Sequence, residues 1–353
     1  MRYLTFLSLV TFLLSLPLQT QALPALYEAE VEVPDQGRAT RTEGMSQAMA
    51  AVLLKVSGNS RVAEEESLAE ALQQPARFVQ QYSYRTEEEE EQEQERLLLH
   101  VRFDPRGIDE LLHRSGINVW GDARPSTLIW LGVEDGGRRV LVGDNDRGLV
   151  RGLVEREAAR RALPVKLPKM DSRDLKNVRP ADVWGEFFET VKGASERYAP
   201  HAILIGRIYP VSAGRWESRW SLDYRGEVVR WEFRSAEVGP LIAEAIDRVT
   251  DQMVSRLTQS YVGGSGEVLL RVEDVHNLKD YRRVFNYLKG TRGVKRVIAE
   301  TMTPNTARLR VVAEGGIEPV LQTIAIGRTL TKVSQPVAVS LPRNQAVRQN
   351  SMD

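Results

Sequence analysis

The sequence predicts an α/β (α+β) chain of several small sheet-and-helix domains, and three observations carry that prediction. Alternation of apolar and polar residues, the mark of half-buried strands, recurs at 27–33 and 216–224. Other segments place apolar residues at helical spacing, as with Ile242, Ala245, Ile246, Val249 and Met253. Turn-forming glycines punctuate the two kinds of segment at Asp135-Gly136-Gly137, Arg225-Gly226 and Gly263-Gly264-Ser265-Gly266. Composition is that of a globular protein, and no repeat of solenoid period is visible.

The first residues read as a secretory signal peptide, 1–22. Met1-Arg2 supplies a positive end, residues 4–18 form an apolar run broken by Pro17, and Thr20-Gln21-Ala22 fits a cleavage site. The run is shorter than the roughly 20 residues a helix needs to span a bilayer. Cleavage near Ala22 is therefore expected, with release of a soluble chain outside the cytoplasm and no transmembrane segment after cleavage. The chain has no cysteine, so disulfides, thiolate metal sites and a lipid-modified cysteine are excluded. The core alone must stabilise it.

From 23 to 122 the pattern predicts an N-terminal α+β domain. Residues 27–33 alternate as a strand, 42–56 follow as a helix, and Gly58 is placed to cap that helix. A short helix at 67–74 stops before Pro75, and 78–85 pairs with 96–104 as a hairpin. Its tip, 87–95, holds five consecutive glutamates, which repel one another and read as a solvated turn. Residues 105–115 make a further helix with Leu111 and Leu112 on its buried side.

A central α/β domain is expected over 123–262. Residues 127–133 form an apolar strand, a tight turn leads to a returning strand at 139–142, and a helix spans 145–162. A short strand at 165–167, a helix at 181–194 and a buried strand at 202–209 follow. The next strand carries Trp216, Ser218, Trp220, Leu222 and Tyr224 on one face, with Glu217, Arg219, Ser221 and Asp223 on the other. After the turn, Val229, Trp231 and Phe233 repeat the period of two. The aromatics Trp216, Trp220, Tyr224, Trp231 and Phe233 thus share one face, which either packs on the helix at 241–261 or stacks flat ligands; packing is the preferred reading.

The Gly-rich stretch 263–266 reads as a flexible joint, and 267–335 has the rhythm of a ferredoxin-like βαββαβ unit. Its elements fall at 267–272, 279–289, 294–302, 306–313, 317–326 and 329–333, with Asn305 at the central turn. Residues 336–353 have few large apolar side chains and are expected to be disordered.

Motifs for catalysis are missing. His100, His113, His201 and His276 stand apart, with no HExxH spacing and no GxSxG nucleophile turn; neither a phosphate loop nor GxGxxG is present. Asp144, Asp146 and Glu155 match three positions of a calcium loop, but Gly148 and Leu149 fill places that need a ligand and a glycine. Asp144-Asn145-Asp146 reads instead as the cap of the following helix. No cofactor and no metal are therefore expected. With 48 basic and 48 acidic residues, and 47 against 48 once Arg2 leaves with the leader, the net charge of the cleaved chain is −1. That balance argues against nucleic acid as partner.

Several segments together resemble a proteobacterial family known as domain of unknown function 2066: Leu26-Tyr27-Glu28-Ala29, Lys55-Val56-Ser57-Gly58, Phe78-Val79-Gln80-Gln81-Tyr82, Arg102-Phe103-Asp104, Trp120 with Arg124-Pro125, and Ala181-Asp182-Val183-Trp184-Gly185. The resemblance covers nearly all of the chain; it implies a Gram-negative envelope protein located in the periplasm, and implies no catalytic residue. The expected function is a non-catalytic binding or assembly factor whose partner is another envelope protein. A hydrolase of cell-wall or lipid material is the alternative, marked by a cleft with a perturbed carboxylate pair. The other is a carrier of a small apolar ligand, marked by a cavity between the aromatic strands and the helix after them.

Overall fold

Three antiparallel or mixed sheets, each with its own helices, make up the computed structural model. It describes residues 26–89, 94–120, 124–224, 226–259, 266–291 and 293–313, with 320, 321, 323, 324, 329 and 330. The leader expected at 1–22, most of the joint expected at 263–266 and the tail expected at 336–353 lie outside the described residues, as do most of the helix expected at 317–326 and the strand expected at 329–333.

The first sheet is built by β1 (Glu28–Glu32), β2 (Val79–Glu89) and β3 (Gln94–Phe103) in the order β1-β3-β2. Helix α1 (Arg38–Ser57) starts four residues earlier than its apolar spacing suggests. It buries Met45, Met49, Val52, Leu53 and Val56 against Leu99, Val101 and Phe103. Gly58 ends it at φ 66°, donating its N–H to Leu54 O at 3.0 Å, as the sequence reading expected. Helices α2 (Ala69–Gln73) and α3 (Pro105–Arg114) close the unit. On the outer face the strands cross-link by charge: Glu28 meets Arg102 and His100, Glu30 meets Arg85, and Glu32 meets Arg96. The strands of the hairpin run to Glu89 and resume at Gln94, so pairing extends into the acidic run that was expected to be all turn.

Asp104 is the N-cap of α3 and accepts from Arg106 N at 3.3 Å and Gly107 N at 3.1 Å, with Pro105 in the first helical turn. Asp104→Ala is expected to lower stability by about 1 kcal/mol. Urea denaturation followed by circular dichroism measures it, and an unchanged midpoint would show that water replaces the cap.

The central sheet orders as β5-β4-β7-β8-β9, with β6 beside β4. Its strands are β4 (Thr127–Asp135), β5 (Arg138–Val142), β6 (Val165–Lys166), β7 (Ala202–Ser212), β8 (Arg215–Tyr224) and β9 (Glu227–Ser235). Strand β4 is parallel to β6 and β7, and the other pairs are antiparallel. One face carries α4 (Leu149–Arg160) and α8 (Val238–Gln259) over Ile129, Leu131, Leu204, Trp220 and Leu222. The opposite face carries α5 (Ser172–Asn177), α6 (Pro180–Trp184) and α7 (Phe188–Ser195) over Leu128, Trp130, Ile203 and Ile205. Two expectations are corrected here. The helix expected at 181–194 is two helices, broken where Glu186 takes φ 54°. The Asp144-Asn145-Asp146 cap is not formed: α4 starts at Leu149 with Gly148 as N-cap, and Asp146 accepts from Gly148 N just before it.

Buried arginines join the first two units. Arg161 is fully buried, and donates to Asp247 at 2.9 Å, Asp251 at 2.7 Å and Gly58 O at 2.7 Å. Asp251 in turn accepts from Ser60 Oγ at 2.6 Å. Arg124 lies 4.2 Å over the Trp120 ring and donates to Lys55 O, Trp120 O, Arg161 O and Ala162 O. These guanidiniums donate to main-chain carbonyls at the ends of α1 and α4, where a helix leaves its last carbonyls without partners of its own.

In the third unit β10 (Gly266–Glu273), α9 (Leu278–Gly290), β11 (Val294–Thr303) and β12 (Thr306–Ala313) give the order β10-β12-β11, with β12 antiparallel to both neighbours. That is the split βαβ arrangement of the first half of a ferredoxin-like unit. Gly266, expected in the joint, opens β10 instead. Asn305 lies between β11 and β12, where the turn was expected.

Candidate functional site

Two glycines on neighbouring strands set the shape of the central sheet. A Cβ at Gly206 of β7 would meet the Trp220 ring at 2.1 Å, and one at Gly132 of β4 would meet the Trp184 ring at 2.2 Å. Indole rings therefore press against bare backbone, one on each face of the sheet. Trp220 and Tyr224 are almost wholly buried in the core under α4 and α8, and Trp216, Trp231 and Phe233 pack at its margin. All five predicted aromatics thus stand together on the α8 side, where they fill the space between strands and helix.

On the reverse face α5, α6 and α7 pack over β4, β5 and β7, while β8 and β9 project past them as a charged ledge. Glu186, Arg207, Arg219, Arg230 and Glu232 line a hollow of about 320 Å³ there. Glu186, held at the break between α6 and α7, accepts from Arg230 Nε at 3.0 Å and from Ser221 Oγ at 2.9 Å. Arg207 donates to Trp184 O, tying the same break to the sheet. Beside it Glu217 is buried, yet accepts from Tyr209 Oη, Arg234 Nε at 2.8 Å and Arg219 Nε at 3.0 Å. Those three donors, Tyr209 foremost, hold its carboxyl down to about 2.

The low value has a consequence for stability. Ionised Glu217 contributes fully above pH 4.5, the ordinary glutamate value, and the contribution is lost as pH falls towards about 2. Wild type is expected to exceed Glu217→Gln in stability at pH 6, with the difference shrinking across that window. Urea midpoints at stepped pH measure it; a difference independent of pH would mean that the carboxylate charge contributes nothing.

A second charged cluster fastens α5 to α7. Asp171 caps α5, accepting from Arg173 N and Asp174 N at 3.1 Å, and takes both terminal nitrogens of Arg197 at 2.8 Å. Hydrogen bonds from Arg197 hold its carboxyl well below the usual range. Asp174, fully buried, accepts from Tyr198 Oη, from Met170 N at 3.0 Å and from Arg197 at 2.9 Å. Desolvation and the hydrogen bond to Asp174 push the Tyr198 phenol up to about 12. Both acids are saturated with donors, so this is a structural pin.

The histidines do not converge. His100 lies 3.2 Å from Glu28 on the first sheet, His201 Nδ1 bonds Ser126 at 2.9 Å, and His113 and His276 sit on α3 and just before α9. Among the described residues no group of three His, Asp or Glu could hold a metal ion. No described helix is long and apolar enough to cross a membrane.

Residues 21–121 match the family described as Domain of unknown function (DUF8605). That finding overturns the resemblance to domain of unknown function 2066, and with it the reach claimed over nearly all of the chain. The quoted motifs have structural duties of their own: Lys55-Val56-Ser57-Gly58 ends α1, and Asp104 caps α3. No curated protein matches the sequence. Among solved structures, the Protein Y N-terminal domain of Thermus thermophilus is 18% identical, with 37% of this chain and 93% of that one covered, at a TM-score of 0.17. An uncharacterized protein is 8% identical over 39% and 91% of the chains, at a TM-score of 0.16. Neither likeness carries an argument at those scores.

Proposed function

We propose that this chain is a non-catalytic binding or assembly factor of the bacterial cell envelope, exported to the periplasm, and that it meets another envelope protein on the β8–β9 ledge. The observation that carries the reading is the ledge itself: Arg219, Arg230 and Arg234 stand on β8 and β9, which among the described residues touch the second helical layer only around Glu186 and Phe188, and each has at least 43% of its side chain exposed. Surface arginines held in place by neighbouring acids are pre-organised to take carboxylates of a partner. Export is read from the leader sequence.

The hydrolase reading asks for a perturbed carboxylate pair in a cleft, with one member poised to exchange a proton near neutral pH. Glu186 and Glu217 are shifted the other way, held ionised by hydrogen bonds from Arg230, Tyr209 and Arg234. The carrier reading needs room beneath the aromatics, where Trp220 and Tyr224 are packed.

The test places a photo-crosslinking residue at Arg219 in the tagged full-length chain, and another at exposed Leu175 on α5 as control. One envelope protein joined at 219 and not at 175, and lost on Arg230→Glu, is the expected result. Equal labelling from both positions, or none from either at native expression, would overturn the proposal.

A further inference from the structure

Strand β9 ends the central sheet: it pairs with β8, and among the described residues nothing pairs with its outer edge. Such an edge is open to a further strand, and proteins usually guard it with charge. Here the charges alternate in sign. Arg230, Glu232 and Arg234 stand on the ledge face with more than half of each side chain exposed, while Trp231 and Phe233 pack on the face of α8, as does Val229 by its pairing with Leu222.

We infer that β9 pairs antiparallel with β9 of a second copy of this chain, in a register centred on Trp231. In that register Arg230 of each copy faces Glu232 of the other, so opposite charges meet twice across the two-fold axis. Trp231 faces its own symmetry mate, and Val229 faces Phe233. The neighbouring ion pairs extend the match, because Arg230 already holds Glu186 and Glu232 lies 3.4 Å from Arg219. The row across the junction then reads Glu186, Arg230, Glu232, Arg219, with signs alternating throughout.

Other registers do worse. Centring on Arg230 or on Glu232 sets like charges face to face. Centring on Phe233 also opposes Glu232 to Arg234, but uses only residues 231–235, whereas the Trp231 register engages all nine residues of β9. Registers between these set charged side chains against the aromatic row. The junction is small, of the class that assembles weakly, and its dimer is in concentration-dependent exchange.

This pairing stands on β9 alone and does not depend on the envelope reading. Sedimentation equilibrium of the full-length chain, up to about 1 mM, tests it. Arg230→Glu and Glu232→Arg each turn both charge pairs repulsive, and each is expected to raise the dimer Kd about tenfold or more. Mixed together the two variants are complementary again, and heterodimer is expected at wild-type strength. Circular dichroism confirms that each variant folds. A wild type that stays monomeric throughout, variants that dimerise as wild type does, or a mixture that stays monomeric would each overturn the proposal.

Discussion

Arg161→Ala is expected to lower stability by about 3 kcal/mol, because it removes a fully buried guanidinium that serves two carboxylates and a helix-terminal carbonyl at once. Removing one partner of a buried ion pair leaves the other charge short of solvation, at a typical cost of about 3–5 kcal/mol. The lower end applies because Asp247 and Asp251 are 24% and 37% exposed and recover part of their hydration. Arg161→Met, which keeps most of the volume, separates charge from packing. Urea denaturation followed by circular dichroism reads both variants. A loss below about 1 kcal/mol for both would mean that apolar contact, not the arginine, holds the first unit to the second.

The other large effect lies in the central core. Trp220→Ala is expected to cost about 3–5 kcal/mol, the usual range for deleting a buried aromatic ring. Gly206→Ala is expected to cost about 1–3 kcal/mol, since its methyl would meet the indole at 2.1 Å. Combined, the two should cost clearly less than their sum, because the space vacated by the ring accepts the methyl. A double variant whose cost is additive within about 0.5 kcal/mol would show that ring and glycine do not share the site.

These two sites also mark how far the sequence could be read. Alternation placed the strands with Trp216 to Tyr224 and Val229 to Phe233, and predicted that their aromatics would share a face. Helical spacing found the buried residues of α8, and the φ 66° at Gly58 agrees with a glycine read as a cap. What escaped was set by tertiary contacts. Helices α5 and α6 are too short to have periodicity, and owe their positions to Asp171, Asp174 and Asp182 bonding the backbone. The break at Glu186 needs a left-handed residue that is not glycine, so no local cue announces it. Glu217 sits in the polar row of β8 and reads as solvated, yet it is buried among donors from β7, β8 and β9. Its signal was the pairing of opposite charges two residues apart at Glu217 and Arg219. The ledge was invisible because nothing in a linear pattern tells which strands the helices of the second face will leave largely bare.

The distribution of indoles has a spectroscopic consequence. The six tryptophans are Trp120, Trp130, Trp184, Trp216, Trp220 and Trp231, and all lie in or against the central sheet. Trp120 alone reaches towards the first unit, through Gly58, and the third has none. Tryptophan emission, excited at a wavelength that tyrosine does not absorb, is thus a reporter on the middle of this protein, with Trp120 the lamp at the junction. The β10–β12 sheet can melt without a change in that emission. Emission and peptide dichroism recorded on one sample will trace different curves if the three sheets unfold separately, and a single curve if the buried arginines and the chain between them make one cooperative body.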